Sequence, residues 1–214
     1  KIEKNLCFLI MKLSKDITVI DDFLDKEYQE KIKNVLMGND HFLWKNEEIN
    51  FDWYFISDVT DAYSSRQQKR SALVHTFFEE GETINDDILN YLFLPMLKGV
   101  RERMKIKNMN VVQGRSFLQF PLSLKDKTPD TPHIDLDQGI EHIVALYYVC
   151  DSDGDTIIYN EREDQGLESK SYTIKEKVTP KQGRMVIFDG TLYHTAEQPK
   201  DNIRCVVNYD LEII

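Results

Sequence analysis

The sequence predicts a mainly β domain with flanking helices (α+β), a β-sandwich or jelly roll that carries an N-terminal helical layer. Three observations lead there. From about residue 109, short β-branched and aromatic runs recur between turn residues: NVVQGRSFLQF, HIVALYYVC, DTIIYN, SYTIKEKV, GRMVIFDG, TLYHTAEQ and NIRCVVNYDLEI. Many short strands at near-even spacing are the pattern of a sandwich or jelly roll. Ahead of them lie two stretches with helical rather than alternating periodicity. Finally, 214 residues with 41% apolar and 11% aromatic content suffice for one well-buried core. A single domain is expected over 1–214, with 1–108 as a strand-and-helix layer and 109–214 as the β core.

The N-terminal elements follow in order. ITVIDDFL reads as a short strand. Asp25 then caps the helix KEYQEKIKNVLM, which puts Tyr28, Ile32, Val35 and Leu36 on one face and stops at Gly38. Asn85 caps DDILNYLFLPMLKGVRERM, whose acidic start and basic end suit the helix dipole, with Pro95 and Gly99 expected to kink or split it. Two polar stretches, SDVTDAYSSRQQKRS (57–71) and EREDQGLESKS (161–171), read as mobile loops and candidate substrate lids. The sequence contains no internal repeat.

Composition narrows the function classes. Twenty-seven basic against 37 acidic residues give a net charge of −10, a field that repels phosphate backbones and disfavours a broad nucleic-acid surface. Cys7, Cys150 and Cys205 are odd in number and form no CxxC pair, which suits buried free thiols in a reducing, cytoplasmic compartment. No apolar run approaches the length of a membrane span. Met11-Lys12-Leu13 reads as a natural start, so residues 1–10 are expected to derive from upstream sequence or an expression vector.

The chemistry concentrates around TPHIDLD, residues 131–137. With five histidines and 37 acidic residues in 214, about one His-x-acid match is expected by chance, so the pattern alone decides nothing. In an extended segment His133 and Asp135 project to the same side, and Pro132 biases Thr131 towards that conformation. Asp137 shares their side, as a group that orients a ligand or as a solvated turn residue. A first-row metal needs a third ligand, and His194 in GTLYHTAEQ is the candidate; the alternative is a strand-end histidine that only hydrogen-bonds its neighbours. The turn signal Pro199-Lys200-Asp201-Asn202 suggests a hairpin in which Arg204 faces His194. Alternation then puts Arg204, Val206, Asn208 and Asp210 on one face, and Ile203, Cys205, Val207 and Tyr209 on the other. Arg204 either forms a salt bridge, with Asp210 or Asp189, or binds a ligand carboxylate bidentately. His142 reads as a strand-end surface residue, and His41 and His75 show no ligand spacing.

Two histidines and a carboxylate form the facial set typical of non-haem Fe(II). HxD at His133 and Asp135, the distal His194 and an arginine ten residues later resemble the Fe(II)/2-oxoglutarate-dependent dioxygenase superfamily. ALYYVCDSDGDTIIY is similar to the YL(N)…GGxTxF strand pair of its prolyl-4-hydroxylase-like branch, and GRMVIFDGTLYHTAEQP…R to the branch's closing strands, as in small phage and marine microbial members. The resemblance spans residues 109–214, with ITVIDDFLDKEYQEKIKNVL similar to the N-terminal strand and helix and the region between not diagnostic.

The resemblance implies a double-stranded β-helix (cupin-like) core, with His133, Asp135 and His194 as metal ligands and Arg204 as anchor for the distal carboxylate of 2-oxoglutarate. It implies Tyr148 (or Tyr147), Thr156 and Asn208 as further cosubstrate contacts. The cofactors it implies are Fe(II), 2-oxoglutarate and O2, with ascorbate as an optional reductant. The activity it implies is hydroxylation of an aliphatic C–H in a prolyl or other protein side chain, or in a small metabolite, with release of succinate and CO2. Asp135 argues for hydroxylation over halogenation, because related halogenases lack this carboxylate. Two departures stand out: Phe120 replaces a tyrosine common ahead of the HxD, and PLSLKDKTPDT is longer and more charged than the usual connection. The competing classes are a non-catalytic cupin-like binding module and a nucleic-acid oxidative demethylase. The second is disfavoured by the net charge and by RCVVNYDLE, which lacks a second arginine.

Overall fold

The computed structural model describes residues 17–38, 42–44, 47–49, 51–59, 69–123, 129–136, 140–162 and 171–214. Cys7, His41, Asp137, residues 1–10 and most of both polar loops lie outside them. In chain order the elements are β1 (Thr18–Ile20), α1 (Lys26–Leu36), β2 (Phe42–Trp44), β3 (Glu47–Ile49), β4 (Tyr54–Ile56), β5 (Ala72–Glu79) and β6 (Glu82–Thr83). A π-helical turn (Ile88–Phe93), α2 (Leu94–Arg103), β7 (Met109–Gln119), β8 (Ile143–Tyr148) and β9 (Thr156–Arg162) follow, then β10 (Ile174–Val178), β11 (Met185–Asp189), β12 (Leu192–Ala196) and β13 (Arg204–Ile213).

Alternation within single strands sets the layering. In β8, Val144, Leu146 and Tyr148 point to one side and Ile143, Ala145 and Tyr147 to the other, and all six are buried. A strand buried on both faces requires a cover on each. One cover is helical: Ile32, Val35 and Leu36 of α1, with Leu92, Met96 and Val100 around α2, share a core with Ala145, Tyr147, Val207 and Tyr209. The other is a second sheet, whose Ile158, Val178 and Leu192 meet Val144, Leu146, Tyr148 and Val206.

The larger sheet runs β1-β11-β8-β13-β7-β5-β4, with β6 on β5; the smaller runs β10-β9-β12; β2 and β3 form a separate hairpin. Every pairing is antiparallel. This mainly β architecture of two facing antiparallel sheets with flanking helices is the expected jelly roll. The layer ahead of residue 109 is less helical than expected, because β1, β4, β5 and β6 hydrogen-bond into the same large sheet as the core strands. β5, which the sequence reading passes over, lies beside β7 along seven paired positions.

Local chemistry explains the element ends. The Asp25 carboxylate accepts from the Tyr28 amide at 2.8 Å to start α1, and Gly38 takes φ +80° just beyond it. Asn85 Oδ1 accepts from the Ile88 amide at 3.1 Å, and Pro95 sits in the first turn of α2, where its missing N–H costs nothing. The predicted helix is not split at Pro95: the chain stays helical from 86 to 103 and changes from π- to α-helical at Leu94. Gly99 does not split it either: it is buried inside α2, where a Cβ would stand 2.8 Å from the Phe23 ring.

Candidate active site

His133 and His194 come together through backbone pairing. The segment around His133 lies antiparallel to β12, and the two residues exchange both hydrogen bonds at 3.0 Å. Directly opposite residues project to the same side, so the imidazoles meet with ring centroids 4.8 Å apart. Asp135, two residues on, projects with them. Pairing between β12 and β9 slips between Leu192 and His194, an irregularity of the kind that re-aims side chains at functional sites.

The protonation pattern leaves lone pairs facing inward. His133 Nδ1 donates to the Thr131 carbonyl at 3.1 Å and His194 Nδ1 to the Leu192 carbonyl at 3.2 Å. A carbonyl only accepts, so each Nδ1 holds a ring proton and, in the neutral ring, each Nε2 carries the lone pair; a second proton on His194 Nε2 would be donated to Asp135 Oδ2. Both Nε2 atoms face the Asp135 carboxylate, at 3.7 Å from His133 and 3.2 Å from His194. One ligand atom from each of the three residues fits within a sphere of mutual distances no larger than 4.8 Å. Two imidazole nitrogens and a carboxylate converging on one point form a donor set that fits a divalent transition metal. Partial loss of hydration among the surrounding groups, although 43% of the side chain stays exposed, and the facing His194 ring push the His133 pKa down. Burial pushes the Asp135 carboxyl up, but the two imidazoles and Arg115 outweigh it and hold the group well below the usual carboxylate range.

Asp135 is fixed from behind. Asn208 Nδ2 donates to its Oδ2 at 3.1 Å and Arg115 Nη2 to its Oδ1 at 3.3 Å. Sequence reading missed Arg115; the available signal was the row Gln113, Arg115, Phe117, Gln119 along one face of β7. Asp210 stands further back, buried, with neither oxygen meeting an N–H or hydroxyl donor among the described residues. Burial and the neighbouring Asp135 hold its carboxyl well above the usual range. His142 is not at the surface as expected: it is buried, with Nε2 3.7 Å from Asp210 Oδ1.

A cavity of about 420 Å³ opens from the three ligands and reaches Arg204, walled by Val144, Leu146, Phe188 and Val206. Arg204 is 5% exposed. Its Nε donates to the Gly154 carbonyl at 3.1 Å, Nη1 to Gln119 Oε1 at 2.9 Å and Nη2 to Thr156 Oγ1 at 3.0 Å. Neither expected carboxylate pairs with it, because Asp189 takes Arg162 and Asp210 lies beside Asp135. Gln119 and Thr156 line the same cavity; so does Asp130, whose carboxylate pairs with the buried Arg70.

The predicted hairpin does not form. β12 pairs with β9 and β13 with β7 and β8, and Arg204 faces Gln119 rather than His194. Residues 197–203 instead cross from the small sheet to the large one. Arg204 and His194 still share the cavity because the two sheets face each other. Alternation along β13 holds: Arg204, Val206 and Asn208 line the cavity, and Cys205, Val207 and Tyr209 lie in the helix-side core.

The remaining positions sort by face. Tyr148 O–H donates to Thr156 Oγ1 at 2.8 Å, so it reaches Arg204 through the threonine. Tyr147 does not belong with it: alternation turns its ring into the helix-side core, where its hydroxyl meets no partner among the described residues. Phe120 is 41% exposed at the end of β7, and from β7 it is Phe117 that lines the cavity.

No family model matches this chain, and no curated protein does. Solved structures do. An oxidoreductase of the 2OG-Fe(II) oxygenase family from Burkholderia pseudomallei aligns with a TM-score of 0.64 at 11% identity, over 97% of this chain and 90% of that one. A prolyl hydroxylase from Trichoplax adhaerens, in complex with a hypoxia inducible factor oxygen degradation domain peptide fragment, aligns at 0.54 and 14%, over 99% and 92%. The viral collagen prolyl hydroxylase of Paramecium bursaria Chlorella virus-1, in its 2OG complex, aligns at 0.52 and 13%, over 92% and 96%. The chain therefore shares the jelly-roll fold of these 2-oxoglutarate- and iron(II)-dependent oxygenases.

Proposed function

We propose that the protein is an Fe(II)- and 2-oxoglutarate-dependent dioxygenase that hydroxylates an aliphatic C–H. One observation carries the reading: three converging ligand groups and a buried guanidinium that meets no carboxylate partner among the described residues share one cavity. A buried cation without a counter-ion is costly, and a ligand carboxylate would supply one. His133, Asp135 and His194 would hold the metal, with Asn208 and Arg115 orienting Asp135. Arg204, set by Gln119, Thr156 and Gly154, would bind the distal carboxylate of 2-oxoglutarate bidentately. When bound, the iron and 2-oxoglutarate supply dioxygen activation, with succinate and CO2 as coproducts. The apolar walls exclude water from that chemistry.

The substrate class we propose is a prolyl or other protein side chain, the kind of partner present in the Trichoplax complex, with a small metabolite as the second arm of a screen. The net charge of −10 speaks against a nucleic-acid substrate. No helix among the described residues is long and apolar enough to cross a membrane. Buried, free Cys150 and Cys205 suit a reducing, cytoplasmic setting. The test is succinate formation by purified protein supplied with Fe(II), 2-oxoglutarate, O2 and ascorbate. The reading expects turnover that stops when iron or oxygen is withheld. Metal-loaded protein that binds ligands but forms no succinate would instead be a cupin-like binding module.

A further inference from the structure

We propose that Asp153 is a positioning residue for the cosubstrate pocket, locking the 197–203 crossover so that Arg204 is held against Thr156; this rests on the function proposed above. The crossover has no strand partner along its length, yet its last residues deliver Arg204. Gln198 Nε2 donates to the Phe120 carbonyl at 2.7 Å and the Leu122 amide to the Pro199 carbonyl at 3.3 Å, and the stretch beyond them is held by the turn between β8 and β9. Asp153 Oδ2 accepts from the amides of Lys200 at 3.0 Å and Asp201 at 3.2 Å, and its Oδ1 from that of Asn202 at 3.1 Å. Three successive amides wrapped on one carboxylate form a nest, with the anion supplied by the protein itself. The clamp continues on both sides. The Glu197 amide donates to the Asp155 carbonyl at 2.8 Å, and Arg204 Nε to the Gly154 carbonyl. The approach is close enough that a Cβ at Gly154 would stand 2.7 Å from the Glu197 carbonyl oxygen and 3.1 Å from Arg204 Cδ.

Lys200, Asp201 and Asn202 are exposed, so the segment's apolar contacts lie only at its flanks, where Pro199 is buried and Ile203 packs on the helix-side core. Without the Asp153 carboxylate their amides turn to water, and the crossover gains conformations in which Arg204 is no longer aimed. Pre-organisation of a binding group is lost before the group itself is. The metal end is unaffected, because His133 and His194 are fixed by their own backbone pairing.

The test uses the full chain loaded with Mn(II), with binding of N-oxalylglycine and of oxalate measured by calorimetry for wild type, Asp153→Ala and Asp153→Asn. N-oxalylglycine offers the metal-chelating end and a distal carboxylate; oxalate offers only the first. The expected result for Asp153→Ala is about tenfold weaker N-oxalylglycine binding, with oxalate and Mn(II) affinities within about twofold of wild type. In turnover, KM for 2-oxoglutarate rises with little change in kcat. Asp153→Asn keeps one acceptor oxygen and should fall between; it carries the test if the alanine variant does not fold. Unchanged N-oxalylglycine affinity in the folded variant, or equal losses for both ligands, overturns the proposal. Wild-type protein that binds Mn(II) but ignores N-oxalylglycine sinks the parent function, and the role of Asp153 with it.

Discussion

β13 presents two different surfaces from one backbone. Cys205, Val207, Tyr209 and Leu211 face the helices and lie among aliphatic and aromatic side chains. Arg204, Val206, Asn208 and Asp210 face the small sheet, and three of those four are polar although none is more than 6% exposed. The polar atoms left without partners differ in kind as well. On β13 itself, among the described residues, the helix-facing side keeps one such atom, the Tyr209 hydroxyl, whereas the cavity-facing side keeps those of Asn208 and Asp210. Burying charged and amide groups costs far more than burying a hydroxyl that can find a partner by rotation. The face that carries them gives up stability, and that loss marks where ligands bind.

The largest effect expected from breaking this division is on activity. Asp135→Ala and His194→Ala should abolish succinate formation by the folded, iron-supplied protein. The opposite face should respond in the opposite way. Phe77 packs against Phe93 and Tyr209 and covers Gly114, where a Cβ would stand 2.4 Å from its ring. Phe77→Ala should cost about 3–5 kcal/mol in chemical denaturation and leave KM for 2-oxoglutarate unchanged in the folded protein.

Arg204→Met, on the cavity face, should weaken 2-oxoglutarate binding by about 2–5 kcal/mol, read from Kd, with metal affinity retained. The smallest effect belongs outside both faces. Arg184 holds the Asp21 carboxyl down at about 2, against an ordinary 3.8, joining the β1–α1 turn to the start of β11. A depressed carboxylate stabilises the fold fully above its ordinary value and loses that contribution as pH falls through about 2. The pair is exposed, so Asp21→Asn should cost under about 1 kcal/mol at neutral pH, less at pH 2 and nothing once the pH is well below it, in a denaturation series across pH.

The two faces were not equally legible in the sequence. His133 and Asp135 could be read because a period of two is local, and β8 to β13 because their runs are short, apolar and separated by turns. His194 and Arg204 were assigned to one pocket through a hairpin that does not exist. Their proximity comes from two sheets facing each other, which no local pattern encodes. Arg115 went unread because a polar residue in a strand ordinarily signals solvent, and only the register opposite Asn208 turns it towards Asp135. Tyr147 and Tyr148 were ambiguous by one residue until the strand's partners fixed which face each takes. β5 was passed over because His75 and Thr76 interrupt its apolar run; pairing with β7 stabilises it where intrinsic preference does not.

The central claim is that His133, Asp135 and His194 hold iron beside a 2-oxoglutarate site anchored by Arg204. An anaerobic titration tests it most directly: Fe(II) is added to the protein, then 2-oxoglutarate, and visible absorption is followed. The account predicts a metal-to-ligand charge-transfer band that saturates at one equivalent of iron. The band should be absent in His194→Ala and shifted to much higher 2-oxoglutarate concentration in Arg204→Met. Wild-type protein that binds iron but develops no band, or develops it equally in His194→Ala, would contradict the claim.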